Sequence, residues 1–128
     1  MKMMMKPSIL TLVCLFAFGS VALADGTLTP KHGGRMAETE GSRLELVVTG
    51  DTIDLYVTDH GDKPVVVAKA SAKVVLLNQG QKMEVTLQPV TGNQLSGTAK
   101  VSGGEHATAV VTVEGLPKRL SARIPDHR

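Results

Sequence analysis

The chain has almost no aromatic residues, and this absence limits what it can bind. Its 128 residues include no Trp, one Tyr and two Phe. Phe16 and Phe18 lie in an apolar stretch near the N-terminus, so Tyr56 is the only aromatic residue after that stretch. Proteins that bind single-stranded nucleic acids stack the bases on aromatic rings. The composition therefore does not favour this class of protein.

The chain also has only one cysteine, Cys14, which lies inside the same apolar stretch. Residues 11–13 before it are Thr-Leu-Val and lack the small residue expected ahead of a lipid-modified cysteine. We therefore do not expect a lipoprotein. The rest of the chain has no cysteine, which excludes disulfides and thiolate metal sites there.

The N-terminus has the features of a signal peptide. Lys2 and Lys6 precede an apolar run over residues 8–22, and residues 22–24 are Ala-Leu-Ala, a small-residue cleavage pattern. We predict cleavage between Ala24 and Asp25, and a periplasmic or secreted location. The apolar run is shorter than the about 20 residues that span a bilayer, so we expect no membrane span after cleavage.

The charge of the remaining chain argues against nucleic acid as a partner. Lys2 and Lys6 are two of the 14 Lys and Arg residues, and no acidic residue lies in the leader. The chain after Ala24 therefore has 12 basic residues against 12 Asp and Glu. Nucleic-acid binding requires a basic surface, which a neutral chain does not indicate.

We divide the chain into a signal peptide (1–24), an extended N-terminal arm (25–42) and a β-sandwich domain (43–128). The arm has no hydrophobic period and contains Pro30, Gly33, Gly34 and Gly41. From Arg43 onward, apolar and polar residues alternate, which is typical of half-buried strands. The first two runs flank a turn at Gly50-Asp51 and predict a hairpin; their inward residues are Leu44, Leu46, Val48, Ile53, Leu55 and Val57.

Further strands are predicted along the rest of the chain. They cover residues 65–77 with a kink near 70–72, and residues 82–87, 94–100, 106–114 and 119–124. Turns are expected at 78–81, 89–93 and 102–104, and no segment after the leader has a helical period. About seven short strands with regular turns predict an antiparallel β-sandwich.

The sequence gives no sign of catalysis. No serine lies in a Gly-x-Ser-x-Gly elbow, no glycine-rich loop precedes a helix, and the acidic pair Glu38 and Glu40 lies in the arm. Acid–base catalysis needs carboxyl groups in fixed positions. We therefore predict that the protein is not an enzyme.

The histidines are the candidate metal ligands. His32 precedes the first predicted strand, and His60 follows the second. If these strands are antiparallel, the two histidines lie at the same end of the sandwich. His106 should lie apart at the other end, and His127 is next to the C-terminus. The spacing of His32 and His60 matches no zinc finger, and the simplest alternative is that both are solvated loop residues.

Four further residues could complete a metal site: Met36, Glu38, Glu40 and Asp59. Imidazole nitrogen binds Zn, Cu or Ni. A thioether from Met36 would favour Cu(I), whereas the carboxylates would favour Zn or a harder ion. We therefore expect a Cu or Zn ion as the cofactor if a metal binds.

Three stretches carry a resemblance to a known family: residues 30–34 (Pro-Lys-His-Gly-Gly), 44–48 (Leu-Glu-Leu-Val-Val) and 55–65 (Leu-Tyr-Val-Thr-Asp-His-Gly-Asp-Lys-Pro-Val). Together they resemble a small periplasmic immunoglobulin-like β-sandwich domain. This domain occurs alone and at the front of periplasmic adaptor subunits of heavy-metal efflux pumps of the resistance-nodulation-division class. Residues 59–65 also resemble the opening of small immunoglobulin-like exported domains linked to copper handling.

The resemblance implies export, an immunoglobulin-like sandwich and a link to Cu or Zn homeostasis. It draws attention to His32 and His60, and implies an envelope protein such as an efflux component as partner. The chain lacks the long hairpin and barrel segments of a full adaptor, so we expect a stand-alone accessory protein. The alternative hypothesis is a structural or interaction module of the envelope, which docks through sheet edges or the arm and has no metal role.

Overall fold

The structure is a computed structural model that describes residues 28–100 and 103–126, and the predicted leader lies outside them. These residues form eight strands and one turn of 3-10 helix at Gly104–His106. None of their helical structure is long and apolar enough to cross a membrane. The strands are β1 (Arg35–Thr39), β2 (Ser42–Thr49), β3 (Thr52–Asp59), β4 (Ser71–Asn78), β5 (Gln81–Thr91), β6 (Gln94–Thr98), β7 (Thr108–Glu114) and β8 (Leu120–Ile124).

The eight strands form one sheet in the order β1-β2-β3-β6-β5-β4-β7-β8, and each neighbouring pair is antiparallel. The sheet curls until its edge strands β1 and β8 lie beside each other, which nearly closes it into a barrel. The predicted all-β antiparallel fold is confirmed, with eight strands in place of about seven.

Alternate positions along the strands fill the interior with aliphatic side chains. In β3, for example, Ile53, Leu55 and Val57 are buried, whereas the residues between them face outward. An eight-stranded barrel is just wide enough for side chains to fill it, so this interior is a packed core. The other large core residues are Leu44, Leu46, Val67, Val74, Leu76, Val85, Leu87, Leu95, Val111, Val113, Leu120 and Ile124.

Strand pairing defines two ends of the barrel. Ser42 pairs with Asp59, so the loop after β3 lies where β2 begins; we call this the His60 end. β3 pairs with β6, β6 with β5 and β5 with β4, all antiparallel. The β4–β5 turn therefore lies at the opposite end of the barrel. Thr108 at the start of β7 pairs with Leu77 near that turn. His106 thus lies at the end opposite His60, as predicted, and we call this the His106 end.

Tight turns with positive φ join the hairpins. The β1–β2 turn has Glu40 at φ 52° and Gly41 at φ 78°, and the β4–β5 turn has Gln79 at φ 52° and Gly80 at φ 80°. Two successive left-handed residues are the requirement of a two-residue type I′ hairpin. Glu40, a candidate ligand, is therefore held in a turn.

The predicted arm contains a strand that its sequence does not indicate. Met36, Ala37 and Glu38 of β1 pair with Glu45, Leu44 and Arg43 of β2. β1 has no alternation of large apolar residues, so its place in the sheet comes from backbone pairing with β2. This pairing places the start of β1 near the middle of the barrel wall.

Two segments near the His60 end also differ from the prediction. Residues 65–70 are apolar except for Lys69 but form no strand, and only a bridge between Pro64 and Thr58 joins this region to β3. Val67 is buried, whereas Val66 is 71% exposed. The predicted turn at 89–93 is shorter, because β5 continues through an irregular register to Thr91.

Arg35 closes the seam between the two edge strands. Its Nη1 donates to the carbonyl oxygens of Ala107 (2.6 Å) and Pro125 (3.0 Å), and its Nη2 lies 3.5 Å from the carbonyl oxygen of Gly104. Burial lowers the pKa of Arg35, and the charge of Asp126 acts in the opposite direction. One side chain at the start of β1 thus holds the segments before β7 and after β8.

Candidate functional site

The segment before β1 folds back over the outside of the barrel. We call residues 28–34 the hook. Leu44 and Leu46 of β2 point into the core, so Glu45 between them points outward. Nevertheless Glu45 is only 3% exposed. The hook covers it, turning at Gly33 (φ 75°) and approaching β2 so closely that a Cβ on Gly34 would collide with the carbonyl oxygen of Leu46.

The Glu45 carboxylate holds the hook through four hydrogen bonds. Its Oε1 accepts from the backbone N–H of Lys31 (3.1 Å) and from Nδ1 of His32 (2.9 Å). Its Oε2 accepts from the backbone N–H of His32 (2.8 Å) and of Gly34 (2.9 Å). Each oxygen thus receives two donors, which is the environment of an ionised carboxylate.

The pKa of Glu45 reflects two opposing influences. Burial is the largest single influence and raises this pKa. The hydrogen bonds from the His32 ring and from the N–H groups of Gly34, His32 and Lys31 together outweigh it, so the pKa is lowered from its usual value. The carboxylate therefore stays negative down to a lower pH than a free glutamate does.

Glu45 and Tyr56 fix the ring of His32. Glu45 and Tyr56 are paired across β2 and β3, so both side chains emerge on the same outer face. The His32 and Tyr56 rings stack with centroids 3.6 Å apart and planes at 4°. An ionised carboxylate can only accept, so Nδ1 of His32 carries a proton toward Glu45. In the neutral ring, Nε2 then has the free lone pair.

The same surroundings change the pKa of Tyr56. Burial raises the pKa of Tyr56, and the negative charges of Asp54 and Glu45 raise it further. The phenol therefore stays neutral under ordinary conditions and serves as a flat apolar support for the imidazole. Tyr56 faces outward from β3 and lies under the hook, in contact with the ring of His32.

Two cavities flank His32. The smaller has about 20 Å³, is lined by Met36, Tyr56, Thr58 and Asp62 as well as His32, and has room for about one water molecule. The larger is an open groove of about 480 Å³. Its walls are the hook, the end of β2 and the turn that carries Glu105 and His106. His32 is 41% exposed at its side chain, so it is accessible from solvent.

His60 and Asp59 lie at the end of the barrel. Asp59 Oδ1 accepts from the backbone N–H groups of Gly61 (2.8 Å) and Lys63 (2.9 Å), and so closes its own loop. The bond from Lys63 is the main reason that the pKa of Asp59 is lowered. His60 is exposed, and its charge favours the ionised form of Asp59.

The structure does not join His32 to His60. No hydrogen bond, ion pair or ring contact links them in the described part of the chain. The His32 ring lies on Tyr56, and at 3.3 Å per residue β3 extends about 10 Å further before the loop begins. The arm and the loop after β3 do approach each other, but at Lys31, the residue before His32. Lys31 Nζ lies 3.6 Å from Asp62 Oδ2.

The two candidate glutamates of the arm make surface ion pairs. Glu38 Oε2 lies 3.7 Å from Nε of Arg43, and Glu40 Oε1 lies 3.9 Å from Nζ of Lys118. Neither contacts His32. Met36 is the one additional candidate that shares a cavity with it.

Residues 28–100 and 103–126 contain no group of three or more His, Cys, Asp or Glu placed to hold a metal ion. They instead offer one oriented imidazole with an accessible side chain. The most informative residue of this arrangement, Glu45, was not singled out from the sequence. A glutamate between two core leucines has the ordinary pattern of a solvated strand face, so no local signal marks it.

The fold and the site together describe an eight-stranded antiparallel barrel-like module with a histidine clamped on its outer wall. Comparisons of the chain with family models, with curated proteins and with solved structures found no match. The similarity to an efflux-associated domain therefore stays a hypothesis that depends on the residues quoted above.

Proposed function

We propose that this chain is an exported, non-catalytic accessory protein of the bacterial envelope that binds a Cu- or Zn-type ion through His32. The hydrogen bond of 2.9 Å between Nδ1 of His32 and Glu45 carries this proposal. Metal-binding histidines commonly donate their other ring N–H to a carboxylate, which fixes the tautomer and makes the ligating nitrogen more basic. Glu45 and His32 have this relation.

The surroundings of His32 suit an exchangeable ion. Stacking on Tyr56 and four hydrogen bonds to Glu45 limit how the hook can move, so the imidazole is oriented in advance. An oriented but incomplete ligand set suits an ion that is passed on, with an efflux component as the receiving partner. Nε2 of His32 would coordinate a bound ion. The ion would in turn attract the further ligands that complete its coordination.

The absence of a nucleophile at His32 supports a non-catalytic role. In the described residues, the ring of His32 is hydrogen-bonded only to Glu45. A histidine that acts as a general base for acyl transfer is hydrogen-bonded to a serine, threonine or cysteine nucleophile. Ligand binding is the chemistry that we assign to the pair.

The test is isothermal titration of the purified protein with ZnCl₂ and CuCl₂. We expect saturable binding that His32→Ala abolishes and that His60→Ala leaves unchanged. His60→Ala is a matched control because His60 is also an exposed loop histidine. Absence of binding tighter than about 0.1 mM, or about 5.5 kcal/mol, would refute the proposal.

One observation favours an interaction module as the second candidate. β1 pairs with β2 only from Ser42 to Leu46, so within the described residues the edge of Val47–Thr49 has no strand partner on that side. A strand edge without a partner is a template for an added strand. Absence of metal binding would make this the better account.

A further inference from the structure

A second histidine lines the groove beside the hook. His32, Glu105 and His106 all line it, together with Gly33–Arg35 and the end of β2. This arrangement depends on a turn that lies more than 70 residues further along the chain. His106 is exposed, as is Glu105, so both side chains are free to turn toward solvent in the groove.

Arg35 fixes the position of that turn relative to the hook. It follows His32 by three residues, and its guanidinium contacts the carbonyl oxygens of Gly104 and Ala107. These two residues directly flank the pair Glu105–His106. The same side chain that begins β1 therefore holds the backbone on both sides of His106.

The turn itself is well defined. The N–H of His106 donates to the carbonyl oxygen of Gly103 (3.0 Å), and the N–H of Ala107 donates to that of Gly104 (3.2 Å). Gly103 has φ 73°, and Gly104 is buried. The Cα of His106 is thus fixed on the wall of the groove, whereas its exposed ring can change rotamer on the picosecond to nanosecond timescale.

We infer that His106 is the second imidazole ligand of the His32 site, and that the ion is Zn(II) with the Glu105 carboxylate completing a His₂–carboxylate set. This inference depends on the proposed metal function and names its ligands. Two histidines and a carboxylate are a recurrent ligand set for zinc. The residues that line the groove include no thioether, and Met36 lies in the separate, smaller cavity beside His32, so the groove itself favours zinc over Cu(I). The three side chains do not converge as placed, so zinc binding draws the exposed His106 and Glu105 side chains toward Nε2 of His32.

The test is titration with ZnCl₂ of the parent protein and of four variants, His32→Ala, His106→Ala, Glu105→Gln and His60→Ala. We expect His32→Ala and His106→Ala each to weaken zinc affinity by at least tenfold, Glu105→Gln to weaken it less, and His60→Ala to leave it unchanged. Nitrogen NMR of the imidazoles gives a second readout. Zinc should shift the Nε2 resonance of His32 and a ring nitrogen of His106, and leave those of His60 in place.

The outcomes separate the two proposals. If His32→Ala loses zinc and His106→Ala binds as the parent does, with unshifted His106 resonances, the inference is overturned and the proposed function stands. If the parent does not bind zinc or copper, both are overturned. Because His106 is exposed, His106→Ala should keep the parent's melting temperature; if it does not, His106→Gln serves in its place and the NMR readout on the parent decides.

Discussion

A single carboxylate holds the hook, so replacing Glu45 by Gln is a direct test of how the site is built. Glutamine has the same size, but one oxygen becomes an NH₂ donor. In the parent, each oxygen of Glu45 receives two donors from the hook. If the NH₂ takes the position of Oε2, it faces the backbone N–H groups of His32 and Gly34. If it takes the position of Oε1, it faces the N–H of Lys31, whereas Nδ1 of His32 can give up its proton and accept from it.

The expected loss follows from the one or two hook contacts that are broken. A hydrogen bond to a charged group contributes about 1.5–3 kcal/mol, so two would amount to at most about 6 kcal/mol. The hook can instead detach, and its N–H groups then bond to water. This escape limits the loss to the free energy of docking the hook. We expect Glu45→Gln to lower the free energy of unfolding by about 1.5–3 kcal/mol.

Urea unfolding followed by circular dichroism measures this loss, and amide hydrogen exchange shows where it arises. The N–H groups of Lys31, His32 and Gly34 should lose their protection in Glu45→Gln, whereas the core strands keep theirs. Glu84→Gln is the control, because Glu84 makes one exposed ion pair at 3.6 Å with Lys73. Such pairs contribute about 0–1 kcal/mol. If Glu45→Gln matches this control and the three amides stay protected, the carboxylate does not hold the hook.

Two further predictions concern pH and the seam. Because the folded pKa of Glu45 is lowered, its contribution to stability is complete above its unfolded pKa of about 4.3 and is lost as the pH falls through the folded pKa. Urea unfolding at a series of pH values below 5 measures this loss. As the pH falls, the free energy of unfolding should decrease more steeply in the parent than in Glu45→Gln, in which only Asp59 and other carboxyls titrate. Equal slopes of the free energy of unfolding against pH would contradict the prediction. Arg35→Met should lower the free energy of unfolding by about 1–3 kcal/mol, since it leaves the carbonyl groups of Ala107 and Pro125 without their donor. Thermal unfolding beside Arg123→Met, an exposed arginine of β8, checks this, and equal melting temperatures would argue against a seam held by Arg35.

Sequence patterning predicted the strands whose own side chains fill the core. β2 and β3 alternate aliphatic and polar residues, and the structure places them as the alternation indicates. β1 could not be found in this way, since Arg35–Thr39 contains no large aliphatic alternation. Its strand conformation depends on the neighbouring edge of β2. Conversely, residues 65–67 are all valine, yet only Val67 is fully buried, whereas Val65 is partly buried against the core and Val66 is exposed.

The candidate site could be predicted only in part. His32 was singled out from the sequence, but its segment was predicted to be an extended arm, whereas the structure turns this segment at Gly33. The role of Glu45 could not be predicted from the sequence, because residues 31–34, which bury it, lie more than ten positions away. The groove with His106 depends on Arg35 and on the curling of the whole sheet, so neither spacing nor periodicity indicates it.

The stacking of His32 on Tyr56 also gives the molecule an internal optical reporter. The chain has one tyrosine and no tryptophan, so its emission above the phenylalanine range comes from a single ring. That ring lies 3.6 Å from the imidazole of the hook. Lifting the hook, changing the charge of His32 or attaching an ion to it would each alter the light emitted by this one phenol. The unlabelled protein thus signals the state of its hook through one fluorophore with no competing background.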